Sequence, residues 1–146
     1  MSYITDQNIQ DRVGLTTLIQ LADDDGDGQA DTAILDEIRG AADGEVNAYL
    51  ARRYQVPIDL TIHTGLAGLL TSITLDLAEH RLRSRRPPVA SDISERLRHA
   101  LTWLSRVADG TLELPSPGVA LTSNRGPQAA TRGDSRTLSR DEFSDF

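Results

Sequence analysis

The chain has 146 residues and a net charge of −7, and it contains neither cysteine nor lysine. That length is the size of one compact domain. A disulfide framework and a thiolate metal site are excluded, and the acidic balance argues against a nucleic-acid binder driven by phosphate neutralisation.

The charge is unevenly spread. Residues 1–46 hold eleven acids and two arginines, whereas residues 47–114 hold nine arginines and seven acids. All fifteen cations are arginine, whose planar fork suits two-point pairing with carboxylates and interfaces between proteins. No apolar run approaches the roughly 18 residues that span a membrane. The opening "MSYITDQNIQDR" has no basic stretch followed by an apolar one, so no signal peptide is expected.

In chain order, "ITDQNIQDRVG" reads as a short helix, with Thr5 or Asp6 as its N-cap and Gly14 at its end. "LTTLIQLAD" reads as a second, turning Leu15, Leu18, Ile19 and Leu21 inward. Then comes "DDDGDGQAD", residues 23–31. Counted from Asp23, the loop pattern for calcium places oxygen ligands at Asp23, Asp25, Asp27, the Gln29 carbonyl and Asp31, with Gly28 at the sharp turn. Position twelve is Ile34, where that pattern has a bidentate glutamate. Two readings stand side by side. One is a calcium loop of weak affinity. The other is a solvated acidic turn whose last aspartate favours the N-terminus of the next helix.

Three longer helices follow, over 31–54, 62–84 and 91–109. In the first, Ile34, Leu35, Ile38, Ala41, Ala42, Val46, Tyr49 and Leu50 recur at helical spacing. Gly40 and Gly44 weaken it and are expected to admit another backbone, and Pro57 keeps the chain from continuing helical. In the second the stripe is Ile62, Leu66, Leu69, Leu70, Ile73 and Leu77. "RSRRPPVASD" is a loop. Ser91 or Asp92 is expected to cap the third helix, with Glu95 placed for a capping box. Its stripe is Ile93, Leu97, Ala100, Leu101, Leu104, Val107 and Ala108, and Gly110 ends it. Leu50, Leu70 and Leu101 are expected to be nearly fully buried. "TLELP" is a short extended segment.

The fold expected is therefore all-α: a small helical bundle of three main amphipathic helices, two short N-terminal helices and an extended C-terminal tail. Residues 1–114 form the helical domain. Residues 115–146 show no helical or strand period and too little apolar surface to order themselves. They are expected to dock on another chain, a neighbouring subunit or a portal, with Leu121, Leu138, Phe143 and Phe146 as anchors.

Few motifs point to chemistry. His63, His80 and His99 lack metal-ligand spacing, and no nucleophile elbow or phosphate loop stands out. An enzyme is not expected. Arg81, Arg83, Arg85 and Arg86 lack the interleaved aromatics of a nucleic-acid surface and read as a solvated or intersubunit face. In the intersubunit reading, acids of a second copy, such as Asp36 or Glu45, are expected to meet them. Trp103 falls off the stripe of its helix, as a boundary residue or as an interface anchor.

"YITDQNIQDRVG", "LADDDGDGQADTAILDEIRGAADGEVNAYLARRYQVPI", "LAEHRL" and "ERLRHALTWLSRVADGTLEL", together covering residues 3–114, resemble the Mu-like phage structural protein family. The resemblance implies a head–tail connector adaptor of long-tailed phages with no catalysis. It implies a dodecameric homo-oligomeric ring beneath the portal protein, linking the capsid to a tail-side connector or tail-terminator protein. DNA would pass through the channel without sequence-specific binding. The place implied is the virion neck, after assembly in the host bacterial cytoplasm and with no membrane contact. No cofactor is implied. Two other readings remain on the residues alone. A calcium-dependent helical protein-binding module follows from the acidic loop. A small helical DNA-binding regulator is disfavoured by the lack of a basic recognition helix.

Overall fold

The computed structural model describes residues 1–114. These form five helices and, among the described residues, no strand: α1 (Asp6–Val13), α2 (Leu15–Ala22), α3 (Thr32–Leu50), α4 (Thr64–Ser84) and α5 (Ser91–Asp109). The tail anchors expected at Leu121, Leu138, Phe143 and Phe146 lie outside the described residues.

α4 is the central element. α3, α4 and α5 pack against one another, while α1 and α2 pair together and lean on α4. The sequence of α4 explains this role, because its inward residues are spaced to cover more than one face. Leu66, Leu70, Ile73, Leu77, Ala78 and Leu82 are all buried. α3 supplies Leu35, Ile38, Ala42, Val46 and Leu50 at helical spacing, and α5 supplies Ile93, Ala100, Leu104 and Val107. Each fully buried leucine among them stabilises the fold by about 1.5–3 kcal/mol relative to exposure.

Local signals set the boundaries. Thr5 caps α1 in a capping box with Asn8, each side chain accepting from the other's backbone N–H. Gly14, at φ 83°, is both the end of α1 and the start of α2. Gly110 ends α5 in the left-handed conformation.

The structure corrects several expectations. α3 ends at Leu50 and not near residue 54, the chain turning over 51–53 before Pro57. α4 begins at Thr64, so Ile62 falls in the preceding turn and is 71% exposed. Leu15 faces solvent in the first turn of α2. The N-cap of α5 is Ala90, with no side-chain cap, so neither Ser91 nor Asp92 serves and Glu95 closes no capping box. Leu101, unlike Leu50 and Leu70, is only half-buried. Together with Leu97 it lines an open groove between α3, α4 and α5, which three cylinders in contact leave unfilled. Residues 111–114 form no strand, although Leu114 is buried.

Gly40 and Gly44 were expected to let another backbone approach. Both are exposed, and a Cβ at either would meet nothing within 4 Å. They therefore weaken α3 with no packing gained in return. Gly40→Ala and Gly44→Ala should each raise the unfolding free energy by about 0.5–1 kcal/mol, read from urea denaturation.

Two tyrosines tie the segments before α1 and after α5 to the bundle. Tyr3 is buried; its hydroxyl donates to Asn47 Oδ1 at 2.6 Å and accepts from the Ile58 N–H at 3.0 Å. Its N–H donates to Asp43 Oδ1 at 3.1 Å, and its carbonyl accepts from Thr71 Oγ1 at 3.0 Å. One residue thus joins the N-terminus to α3, to the α3–α4 connection and to α4. At the other end the Tyr54 hydroxyl accepts from the Leu114 N–H at 3.1 Å. Burial pushes the Tyr3 phenol above its ordinary value of 10.0; the Ile58 amide pulls the other way and Asp43 adds to the rise. A raised folded-state value favours the neutral phenol in the native state. The Tyr3 contribution is then fully present below pH 10.0 and is lost as pH climbs through the raised value. Stability should fall on the alkaline side, and Tyr3→Phe should flatten that limb while lowering stability at neutral pH.

Candidate functional site

Two motifs that lie sixty residues apart in sequence meet in space: the acidic segment and the arginines that end α4. Arg85 Nη2 pairs with Asp24 Oδ2 at 2.6 Å, and Arg85 Nε donates to the Leu21 carbonyl at 3.1 Å. Arg86 Nη2 lies 3.4 Å from the Asp23 carbonyl and 4.0 Å from Asp24 Oδ1. The end of α4 therefore clamps the start of the loop.

The rest of the loop is closed by its own amides. Asp23 Oδ1 accepts from Gly26 N at 2.6 Å and Oδ2 from Gly28 N at 3.0 Å. Asp25 and Asp27 each accept from the amide two residues on. Gly26 and Gly28 have φ of 79° and 83°, which an L side chain rarely adopts. Slight desolvation pushes the Asp23 carboxyl up, but the amides of Gly26, Gly28 and Asp27 outweigh it and hold it below the usual aspartate value.

One carboxylate oxygen each from Asp23, Asp25 and Asp27 lie within 4.8 Å of one another. That trio is the part of the candidate calcium set the structure brings together. Asp31 stands apart: it is the N-cap residue of α3, yet its Oδ2 accepts from Asp24 N at 3.0 Å and makes no cap bond. Gln29 is exposed and gives its own N–H to Asp27. Ile34, at the position of the bidentate glutamate, is half-buried against the core. Three carboxylates without that ligand make a poorly furnished cation site, with affinity no tighter than about 10⁻⁴–10⁻³ M. A calorimetric titration should show no saturable heat at micromolar calcium; a micromolar site would overturn this reading.

The other two arginines of the cluster are also held within the chain. Arg81 Nη2 pairs with Glu45 Oε2 at 2.6 Å and Arg83 Nε with Glu79 Oε1 at 3.2 Å. Glu45, expected to serve a neighbour, thus holds an arginine of its own chain. Asp36 pairs with Arg39. Trp103 is half-buried and packs against the core from its edge.

Pattern reading missed the most buried charge. Glu79 is 4% exposed and receives guanidinium groups from three helices: Arg12 Nε at 3.1 Å, Arg83 Nε at 3.2 Å and Arg96 Nη1 at 3.0 Å. Asp76, one turn earlier, pairs with Arg12 and lies 3.9 Å from Arg96. Burial pushes the Asp76 carboxyl above its usual value despite Arg12 and Arg96 beside it, and the Glu79 carboxylate pushes the same way. The apolar stripe gave no signal for it: two residues past Leu77, Glu79 falls on the opposite side of the helix from Leu70 and Leu77, a side that only the packing of α1 and α5 buries. Glu79→Ala leaves three guanidinium groups without their shared partner and should cost about 3–5 kcal/mol. The figure should fall toward the lower end, because those arginines keep 29–38% of their side chains exposed. Glu45→Ala, which breaks a surface pair, should cost no more than about 1 kcal/mol. Chemical denaturation of both variants makes the comparison.

A small all-α protein is thus defined, in which charge is spent mainly on intrachain pairs. The family described as Bacteriophage Mu, Gp36 matches residues 3–131. The chain belongs to that family, and the match extends beyond Leu114 into the segment that follows the bundle. No curated protein matches the chain. No helix among the described residues is long and apolar enough to cross a membrane.

Proposed function

We propose that this protein is a virion component of a long-tailed phage, a head–tail connector adaptor that forms a closed ring beneath the portal. Membership of a bacteriophage family over residues 3–131 is the observation that carries the reading. The fold is compatible with it. A compact unit of five helices, locked at both ends by Tyr3 and Tyr54, is followed by 32 further residues, 115–146. A rigid body followed by further chain suits a subunit that must hold neighbours and a partner above or below. The acidic balance suits a channel through which DNA slides without adhering.

In this reading the subunits are related by rotation about the DNA axis, through head-to-tail contacts that close. The portal protein lies on one side and a tail-side connector on the other, and the chain performs no catalysis. A calcium-dependent binding module is the second reading, favoured by the trio of Asp23, Asp25 and Asp27 oxygens.

Assembly tests the first reading. Sedimentation and native mass measurements should find a closed oligomer, alone or on portal-bearing heads. A chain cut after Pro115 should keep its helical content and thermal transition yet fail to attach to those heads. Attachment at full-length levels, or loss of the monomer fold, would count against the role given to the segment. A monomer that never joins heads would remove the connector reading itself.

A further inference from the structure

Among the described residues, nine arginines each have a carboxylate of the same chain within 4.0 Å. Two do not, and both are on α5: Arg98 and Arg106. They are exposed, and they flank Thr102 and the half-buried Trp103. With His99 these residues line one shallow depression. Positions 98, 102 and 106 fall at helical spacing on one side of α5, with the two guanidinium-bearing positions about 12 Å apart along the axis at ~1.5 Å per residue. In a chain that pairs its other described arginines internally, a basic face built around an aromatic ring is a surface prepared for a partner.

The same chain carries its complement. Asp25 and Asp27 are exposed on the acidic loop and have no cationic partner among the described residues, because Arg85 and Arg86 turn to Asp24. The two surfaces are separate patches of the subunit. The loop leads into the N-terminus of α3. Arg106 is in the last turn of α5, beside the C-terminal end of α3, where Arg52 pairs with Asp109 at 3.1 Å. The nineteen residues of α3 put Arg106 about 28 Å along the bundle from the loop at ~1.5 Å per residue, with Arg98 between the two. Within one copy no ion pair among the described residues joins them, the loop's own cationic partners being Arg85 and Arg86.

We propose that the Arg98–Trp103–Arg106 face of α5 docks the Asp25–Asp27 loop of a second copy of this chain. The inference rests on the ring reading above and assigns its contact surfaces. Two different, complementary patches on one subunit make a heterologous contact, the type that closes into rings. The charges set register and encounter, and the tryptophan supplies apolar contact at the centre. The arginines at 81, 83, 85 and 86 then act inside the subunit, Arg85 and Arg86 by holding the loop in position.

The test is a charge swap in the full-length chain. Arg98→Glu/Arg106→Glu and Asp25→Asn/Asp27→Asn should each abolish assembly at a concentration where the wild type assembles, read by sedimentation velocity. Asparagine retains the carbonyl that accepts the loop amides, so the second pair changes charge while keeping the turn; circular dichroism melts should match the wild type for both. Asp25→Arg/Asp27→Arg should also fail alone, and an equimolar mixture with Arg98→Glu/Arg106→Glu should recover hetero-association. Wild-type assembly by Arg98→Glu/Arg106→Glu would overturn the proposal while leaving the ring reading intact. If that variant assembles normally but loses affinity for duplex DNA, the face serves phosphate instead and the proposal is likewise overturned. A wild type that stays monomeric at every concentration, alone and on heads, would overturn both.

Discussion

A single buried carboxylate organises the charged interior of this protein. Glu79 sits on the inner side of α4 and is nearly closed off from water. A lone carboxylate there would cost several kcal/mol in lost hydration. The fold answers with Arg12 from α1, Arg83 from α4 itself and Arg96 from α5. Each long side chain reaches in from the rim, its charged end on Glu79 and part of its length still in solvent. The placement of α1 and of α5 against α4 is therefore fixed by ionic geometry as well as by leucine packing. Apolar contact alone tolerates sliding along a helix; a carboxylate shared by three guanidinium groups does not.

The tyrosine contacts extend the same logic to the segments that flank the bundle. Tyr3 would be a solvated residue in a free N-terminus. Here its ring is buried, and its hydroxyl and backbone satisfy polar groups of α3, of the α3–α4 connection and of α4. Each of those groups would otherwise be a buried donor or acceptor without a partner. Tyr54 repeats the device for Leu114. The bundle is thus closed at both ends by polar side chains whose apolar bodies contribute to the core.

Charge is allocated in layers. The deepest carboxylate is shared by three arginines. The half-exposed positions form single pairs such as Arg81 with Glu45 and Arg85 with Asp24. What remains unpaired among the described arginines collects on one side of α5, apart from the unpaired aspartates of the loop. This allocation bears on the connector proposal, because a subunit that has satisfied its own charges elsewhere presents few and well-separated surfaces to its neighbours. Fewer competing contacts favour one geometry of association over many.

The sequence by itself determined the class of fold and most of its boundaries. Leucines, isoleucines and valines at helical spacing specify α3, α4 and α5, because a helix must bury one stripe. Thr5, Gly14 and Gly110 mark ends through local backbone chemistry, which needs no tertiary contact. The motif pattern also carried the resemblance to a phage family, and the match over residues 3–131 bears it out. Ile62 and Leu101 show where periodicity stops being informative: an apolar residue at the edge of a stripe is buried only if a neighbouring helix covers it. The acidic loop was legible as a set of aspartates, but which of them converge was not. Asp31 turned back to Asp24 and Arg85 reached across from α4, and both outcomes depend on distances between segments remote in sequence. The partners of Glu79 and Tyr3 were invisible for the same reason. A hydrogen bond or ion pair between distant residues has no period, and only the packing of α1, α3 and α5 around α4 decides which charged groups meet.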